Sequence, residues 1–115
     1  MQRHIGCSLG IEQFKERNSE LSRSLDDIRK YLLTEGFSVK GKNSEVRDYK
    51  SRVIENNEVY TLGSIKINID RYHLEYQDGH IKSVDIIING DSDDKISLLE
   101  AELRSFLPKN IIRHF

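Results

Sequence analysis

The chain has 115 residues, with one cysteine, one proline, no tryptophan and no apolar run longer than three residues. The single cysteine, Cys7, excludes an internal disulfide framework and makes a reduced, cytoplasmic setting the expectation. Apolar runs this short exclude a membrane-spanning helix, and Met1 to Gly10 lacks the greasy stretch of a signal peptide. An excess of charge of one sign is also missing. The net charge of −1 gives no global pull toward nucleic acid or a membrane surface. The four histidines, His4, His73, His80 and His114, form neither a helical pair nor a Cys–His ligand spacing, so no metal is expected. Asp91, Asp93 and Glu102 match three positions of a calcium loop, but Lys95 and Ile96 stand where an oxygen ligand and a glycine are needed. With no nucleophile beside a base and no converging carboxylates, the expectation is a protein that is not an enzyme and takes no cofactor.

What is present is a patterned globular chain. Hydrophobic residues make up 37% and charged residues 32%, which suits one domain with a real core and a polar surface. Residues 1–8 read as a leader or a short edge strand around His4 and Ile5. Ile11, Phe14, Leu21, Leu25, Ile28 and Leu32 then recur at three- and four-residue steps, which predicts an amphipathic helix over 9–35. Asn18 fills the one polar slot of that stripe; it can break the helix or set the register of a dimer, but a run of about three heptads favours packing on the sheet. Gly36 followed by Phe37 suits a Schellman ending. Residues 37–89 predict an antiparallel sheet of four to five strands in a meander. Ser92 predicts the cap of a second helix over 92–107, with Asp93 and Asp94 in its first turn and Pro108 after it. Residues 108–115 are expected to pack down as a tail. The predicted fold class is α+β, an antiparallel meander sheet flanked by an N-terminal and a C-terminal amphipathic helix.

Within the sheet, the alternation predicts Asn56–Asn57 as a turn and Gly63 as a bulge. It also predicts a hairpin turn at Asp70–Arg71. That turn puts Ile65, Ile67 and Ile69 on one face with Tyr72, Leu74 and Tyr76, and sets Lys66 opposite Glu75. A longer loop at Gln77–Gly79 brings Val84, Ile86 and Ile88 to the same face. Tyr49, Val53, Tyr60 and Leu62 then fall on the other face, with Ile87 able to join them.

Charge is segregated along the chain. Ser38 to Ile54 carries Lys40, Lys42, Arg47, Lys50 and Arg52 against Glu45 and Asp48, and Asp91 to Glu102 carries five acids against Lys95. Such separation favours steered association with a partner. The leading expectation is therefore a small binding protein that neutralises or occludes a protein partner, in the manner of toxin-immunity proteins and phage inhibitors of host defence. Its candidate contact residues are Asp91, Asp93, Asp94, Tyr49, Tyr60 and Leu62. One alternative is a nucleic-acid-binding module using Lys40, Lys42, Arg47, Lys50 and Arg52 with nearby tyrosines. Another is a self-associating accessory protein, a homodimer being its simplest form.

Overall fold

The computed structural model of the chain describes residues 1–9, 14–40, 44–48, 53–74, 81–109 and 112–113. The elements follow the order β1 (Gln2–Ser8), α1 (Phe14–Thr34), β2 (Ser38–Val39), β3 (Ser44–Asp48), β4 (Val53–Leu62), β5 (Ile65–Leu74), β6 (Ile81–Asn89), α2 (Asp93–Phe106) and β7 (Ile112–Arg113). The fold is α+β, and every strand pairing is antiparallel. The sheet runs β2-β4-β5-β6-β1-β7, with β3 beside β2 on the outer edge of β4. β1, β3, β4, β5 and β6 carry it, and β2 and β7 add two residues each.

Both helices end as their local sequences dictate. Gly36 has φ of +97°, the Phe37 amide donates to the Leu32 carbonyl at 3.0 Å and the Gly36 amide donates to Leu33 at 3.2 Å. That is the hydrogen-bond pair of a Schellman turn. At α2 the Ser92 hydroxyl accepts from the Lys95 amide, with Asp93 and Asp94 in the first turn. α1 runs unbroken through Asn18. Asn18 is buried and donates to the Ile81 carbonyl at 2.9 Å, so its polar slot satisfies the first residue of β6.

The two helices share one face of the sheet. Leu21, Leu25, Ile28 and Leu32 of α1, and Ile96 and Leu103 of α2, join one cluster with Ile5, Ile67, Ile69, Val84, Ile86 and Ile88, all at 0–1% exposure. A Tyr31–Phe106 ring contact links the helices across the top. Along β6 the burial alternates, and Ser83, Asp85, Ile87 and Asn89 face the other way, half-exposed.

Three expectations are corrected. Residues 2–8 form a strand rather than a leader, and it is not an edge strand: β1 lies inside the sheet, paired along its length with β6 and at Gly6 and Cys7 with β7. The turns also fall elsewhere. Asn56–Asn57 lies within β4, and the reversal comes at Gly63, where φ of +58° favours glycine. Asp70–Arg71 is not a hairpin turn either, since β5 continues through it, opposite Asn57 and Asn56. The break in apolar phase after Ile69 arises because Arg71 takes an inward position beside Glu58 and Tyr72 turns to the opposite face. Lys66 consequently stands opposite Thr61 and Asn89 rather than Glu75, which lies outside the described residues, as do Tyr76 and the Gln77–Gly79 loop.

Candidate partner-binding site

The tight β4–β5 reversal sets Leu62 opposite Ile65 at the tip of the hairpin, on the helix side of the sheet. The Schellman turn of α1 delivers Phe37 beside that tip, and a Cβ added to Gly36 would stand 3.8 Å from Leu62 Cδ1. α2 follows β6 after a three-residue connection and runs past the same tip. Its apolar stripe sends Ile96 fully into the core and Leu99 partly so, while Leu98 remains 69% exposed.

Two adjoining clefts lie between the hairpin and α2. One, of about 200 Å³, has Phe37, Leu62, Ile65, Leu98 and Leu99 in its wall, with Glu35 and Lys95 at its margin. The other, of about 430 Å³, is bounded by Leu62, Gly63, Ser64, Ile65, Asp91, Ser92 and Lys95. Leu62, at 40% exposure, is common to both. An apolar wall with exposed leucines and a charged margin is the usual composition of a protein-contact site. Gly90, behind this wall, allows the close packing: a Cβ there would come within 2.7 Å of Ile96.

The structure divides the sequence-derived contact residues. Leu62 and Asp91 meet in one cleft, and Asp94 is exposed in the adjoining helical turn. Asp93 is held by Arg3 of β1 at 2.8 Å, and the same guanidinium donates to Ser97 at 3.0 Å. Tyr60 is no surface anchor: it is 3% exposed, on the helix side of β4. Leu62 likewise belongs to the helix side and not to the second face. Tyr49 lies outside the described residues, as do Lys42, Lys50 and Arg52 of the basic set. Lys40 is exposed at the end of β2, and Arg47 stands opposite Ile54 in β3.

A charged cluster that the sequence pattern did not reveal lies on the helix side. Glu58, 8% exposed, accepts from Arg29 Nε at 2.8 Å and from the Tyr60 hydroxyl at 3.0 Å, and Arg71 approaches at 3.6 Å. Burial works against charge on Arg29, but the Glu58 carboxylate outweighs it and holds the guanidinium above its ordinary value. Burial, and then Glu58, push the Tyr60 phenol up to about 12. Glu58 and Arg29 are 29 residues apart, and no local period marks them as partners. The only sequence signal was the misplaced phase at Arg71.

No nucleophile–base pair forms from Cys7 and His4. Cys7 is buried on the helix side, while His4, next but two in the same strand, points to the opposite face and pairs with Asp85 at 3.0 Å. Among the described residues no three His, Cys, Asp or Glu side chains are grouped to hold a metal ion, and no helix is long and apolar enough to cross a membrane. The fold and site thus define an α+β protein with two helices on one face of an antiparallel sheet and an apolar cleft at one end, with Glu35, Asp91 and Lys95 at its margin. Compared with known proteins, the chain matches no protein-family model and no curated protein.

Proposed function

We propose that this is a non-catalytic binding protein that occludes a protein partner, and that the cleft between the β4–β5 hairpin and α2 is where it does so. The observation that carries the reading is the pair of exposed leucines, Leu62 and Leu98, on an apolar wall with Asp91 and Lys95 in its lining and exposed Asp94 in the adjoining helical turn. An apolar side chain of the partner fills the cleft, and basic residues around it meet the two aspartates. Hot-spot energetics favour such an arrangement, with a central apolar anchor and a charged surround. Toxin-immunity proteins and inhibitors of defence effectors work by contacts of this kind.

The experiment is site-specific photocrosslinking from position 98 in the native cell. The expected result is a one-to-one adduct with a single protein, whose activity the purified chain suppresses. The Leu62→Ser/Leu98→Ser variant should keep its thermal midpoint within a few degrees and lose that suppression. Absence of an adduct would reject the reading. So would micromolar, strongly salt-dependent binding to random DNA or RNA that disappears in Arg47→Glu/Arg52→Glu, because counterion release from phosphates has that signature.

A further inference from the structure

We infer that the cleft takes a short extended segment of the partner, one in which an acidic residue lies beside an apolar one. This deepens the occlusion reading and rests on it. Leu62, Ile65 and Lys95 line both clefts, which makes the two into one groove. Lys95 is the cation at its middle, and its position is the informative one.

Two local rules oppose a lysine there. It is the third residue of α2, in the first turn, where the helix dipole favours acids. It also stands where a capping box has glutamate or glutamine. The Ser92 hydroxyl accepts from the Lys95 amide, but a lysine side chain is a donor alone and cannot return the bond. Nor does α2 supply a countercharge. The residues three or four positions away on the helix surface are Ser92, Leu98 and Leu99, and Asp94, next in the chain, does not face it. Lys95 is exposed and forms no ion pair among the described residues. A local rule broken without an internal gain, beside an apolar groove, marks a charge used by something outside the chain.

The form of the occupant follows from the size of the groove. Ser92, Lys95 and Leu99 follow one ridge of α2, and seven residues of helix rise about 10 Å. An extended chain covers that length with about three residues. A helix is about 10–12 Å across with its side chains, too thick for clefts of about 200 and 430 Å³. The smaller cleft, walled by Phe37, Leu62, Leu98 and Leu99, takes the apolar side chain, and Lys95 beside it takes the carboxylate. Because Lys95 borders both clefts, a chain filling the groove passes it in both directions. The carboxylate therefore belongs to an aspartate or glutamate side chain and not to a chain terminus. Asp91 lines one cleft and Glu35 the other, neither in an ion pair among the described residues, and each favours a basic residue on that flank of the segment. Two copies of this groove face to face would instead set Glu35, Asp91 and Asp94 of each against a single lysine, which opposes self-association.

The test is an NMR titration of the intact chain with the tetrapeptide lysine-aspartate-leucine-lysine, capped at both ends, at low and high salt. The expected result is salt-sensitive shifts of the Ser64, Lys95 and Leu98 amides. Asparagine in place of the peptide's aspartate should weaken binding about threefold to fivefold, the scale of an exposed ion pair. Serine in place of its leucine should abolish binding. Lys95→Glu should reverse the preference, favouring a peptide with lysine where the aspartate stood. That variant should not lower the thermal midpoint, because it completes the capping box. Equal binding of the aspartate and asparagine peptides would overturn the inference. So would shifts confined to the helix-free face, or tighter binding of a free-acid peptide that ends in leucine. No shifts, alongside a crosslinked adduct from position 98, would overturn the extended segment and leave occlusion by a folded surface standing. Peptide binding that obeys these rules without an adduct would do the reverse.

Discussion

Ile86 and Ile87 are consecutive in β6, yet Ile86 is wholly buried beneath the two helices and Ile87 is half-exposed on the opposite face. The same division runs through the charged residues of β4. Glu58 is nearly buried and held by Arg29 and Arg71, whereas Glu55 points away from the helices toward Tyr72. A carboxylate taken out of water must find its countercharge within the fold. One left at the surface keeps part of its hydration and needs less from the fold. The two faces thus differ in how much countercharge the fold must supply: two arginines reach Glu58 on the helix side, while the opposite face uses His4 beside Asp85 and the Asn57 amide beside Asp70.

The sharpest way to break this comparison is to truncate the neighbouring isoleucines. Ile86→Ala should cost about 2–5 kcal/mol, as a buried large-to-small change does. Ile87→Ala should cost less than about 1 kcal/mol. Equal losses in urea denaturation would mean that both faces are covered.

Next in size is the pair of glutamates. Glu58→Gln leaves two arginines facing each other without a carboxylate. A loss of about 1–3 kcal/mol is expected, below the usual cost of a broken buried pair because both arginines reach solvent in part. Glu55→Gln should be close to neutral in the same denaturation experiment.

Tyrosine titration gives a pH test of both faces. The Tyr60 and Tyr72 phenols stand at about 12 in the folded chain against 10.0 in the open chain. The unfolded state therefore loses its protons first. The stabilisation is complete below pH 10, and it is lost as pH rises from 10 toward about 12. Phenolate absorbance should show both groups titrating late, and the decline in thermal midpoint should be shallower in Tyr60→Phe and in Tyr72→Phe. At neutral pH, Tyr60→Phe should be the more damaging, because its hydroxyl serves buried Glu58.

The smallest expected effect has the opposite sign. Asp70→Asn should raise stability by roughly 0.2–1 kcal/mol, the scale of a like-charge cross-strand pair. A loss in thermal denaturation would show that the bond from the Asn57 amide to the Asp70 carboxylate outweighs the repulsion from Asp85.

Of the candidate cleft, Leu62 and the acids at the start of α2 could be read from the chain, but not their meeting. A strand continuing through Gly63 puts Leu62 on the face opposite Ile65, whereas the reversal at Gly63–Ser64 pairs the two on one face. Leu98 lies off the apolar stripe of α2, and only the finished packing shows that it borders a cleft. Arg71 and Tyr72 misled for a related reason. An arginine at an inward strand position interrupts the apolar alternation, and a change of phase resembles a turn.

What the sequence determined by itself was local: α1 and its Gly36 ending, α2 and its Ser92 cap, and the inward face of β6. Each depends on residues within about four positions of one another, through caps and periodicity. Tertiary structure decided which strand lies beside which, and so placed β1 between β6 and β7. It also decided that Arg29 meets Glu58 and that Arg3 meets Asp93, 90 residues away. Such contacts form only when distant segments pair and charges leaving water find partners, and nothing in the neighbouring sequence records that choice.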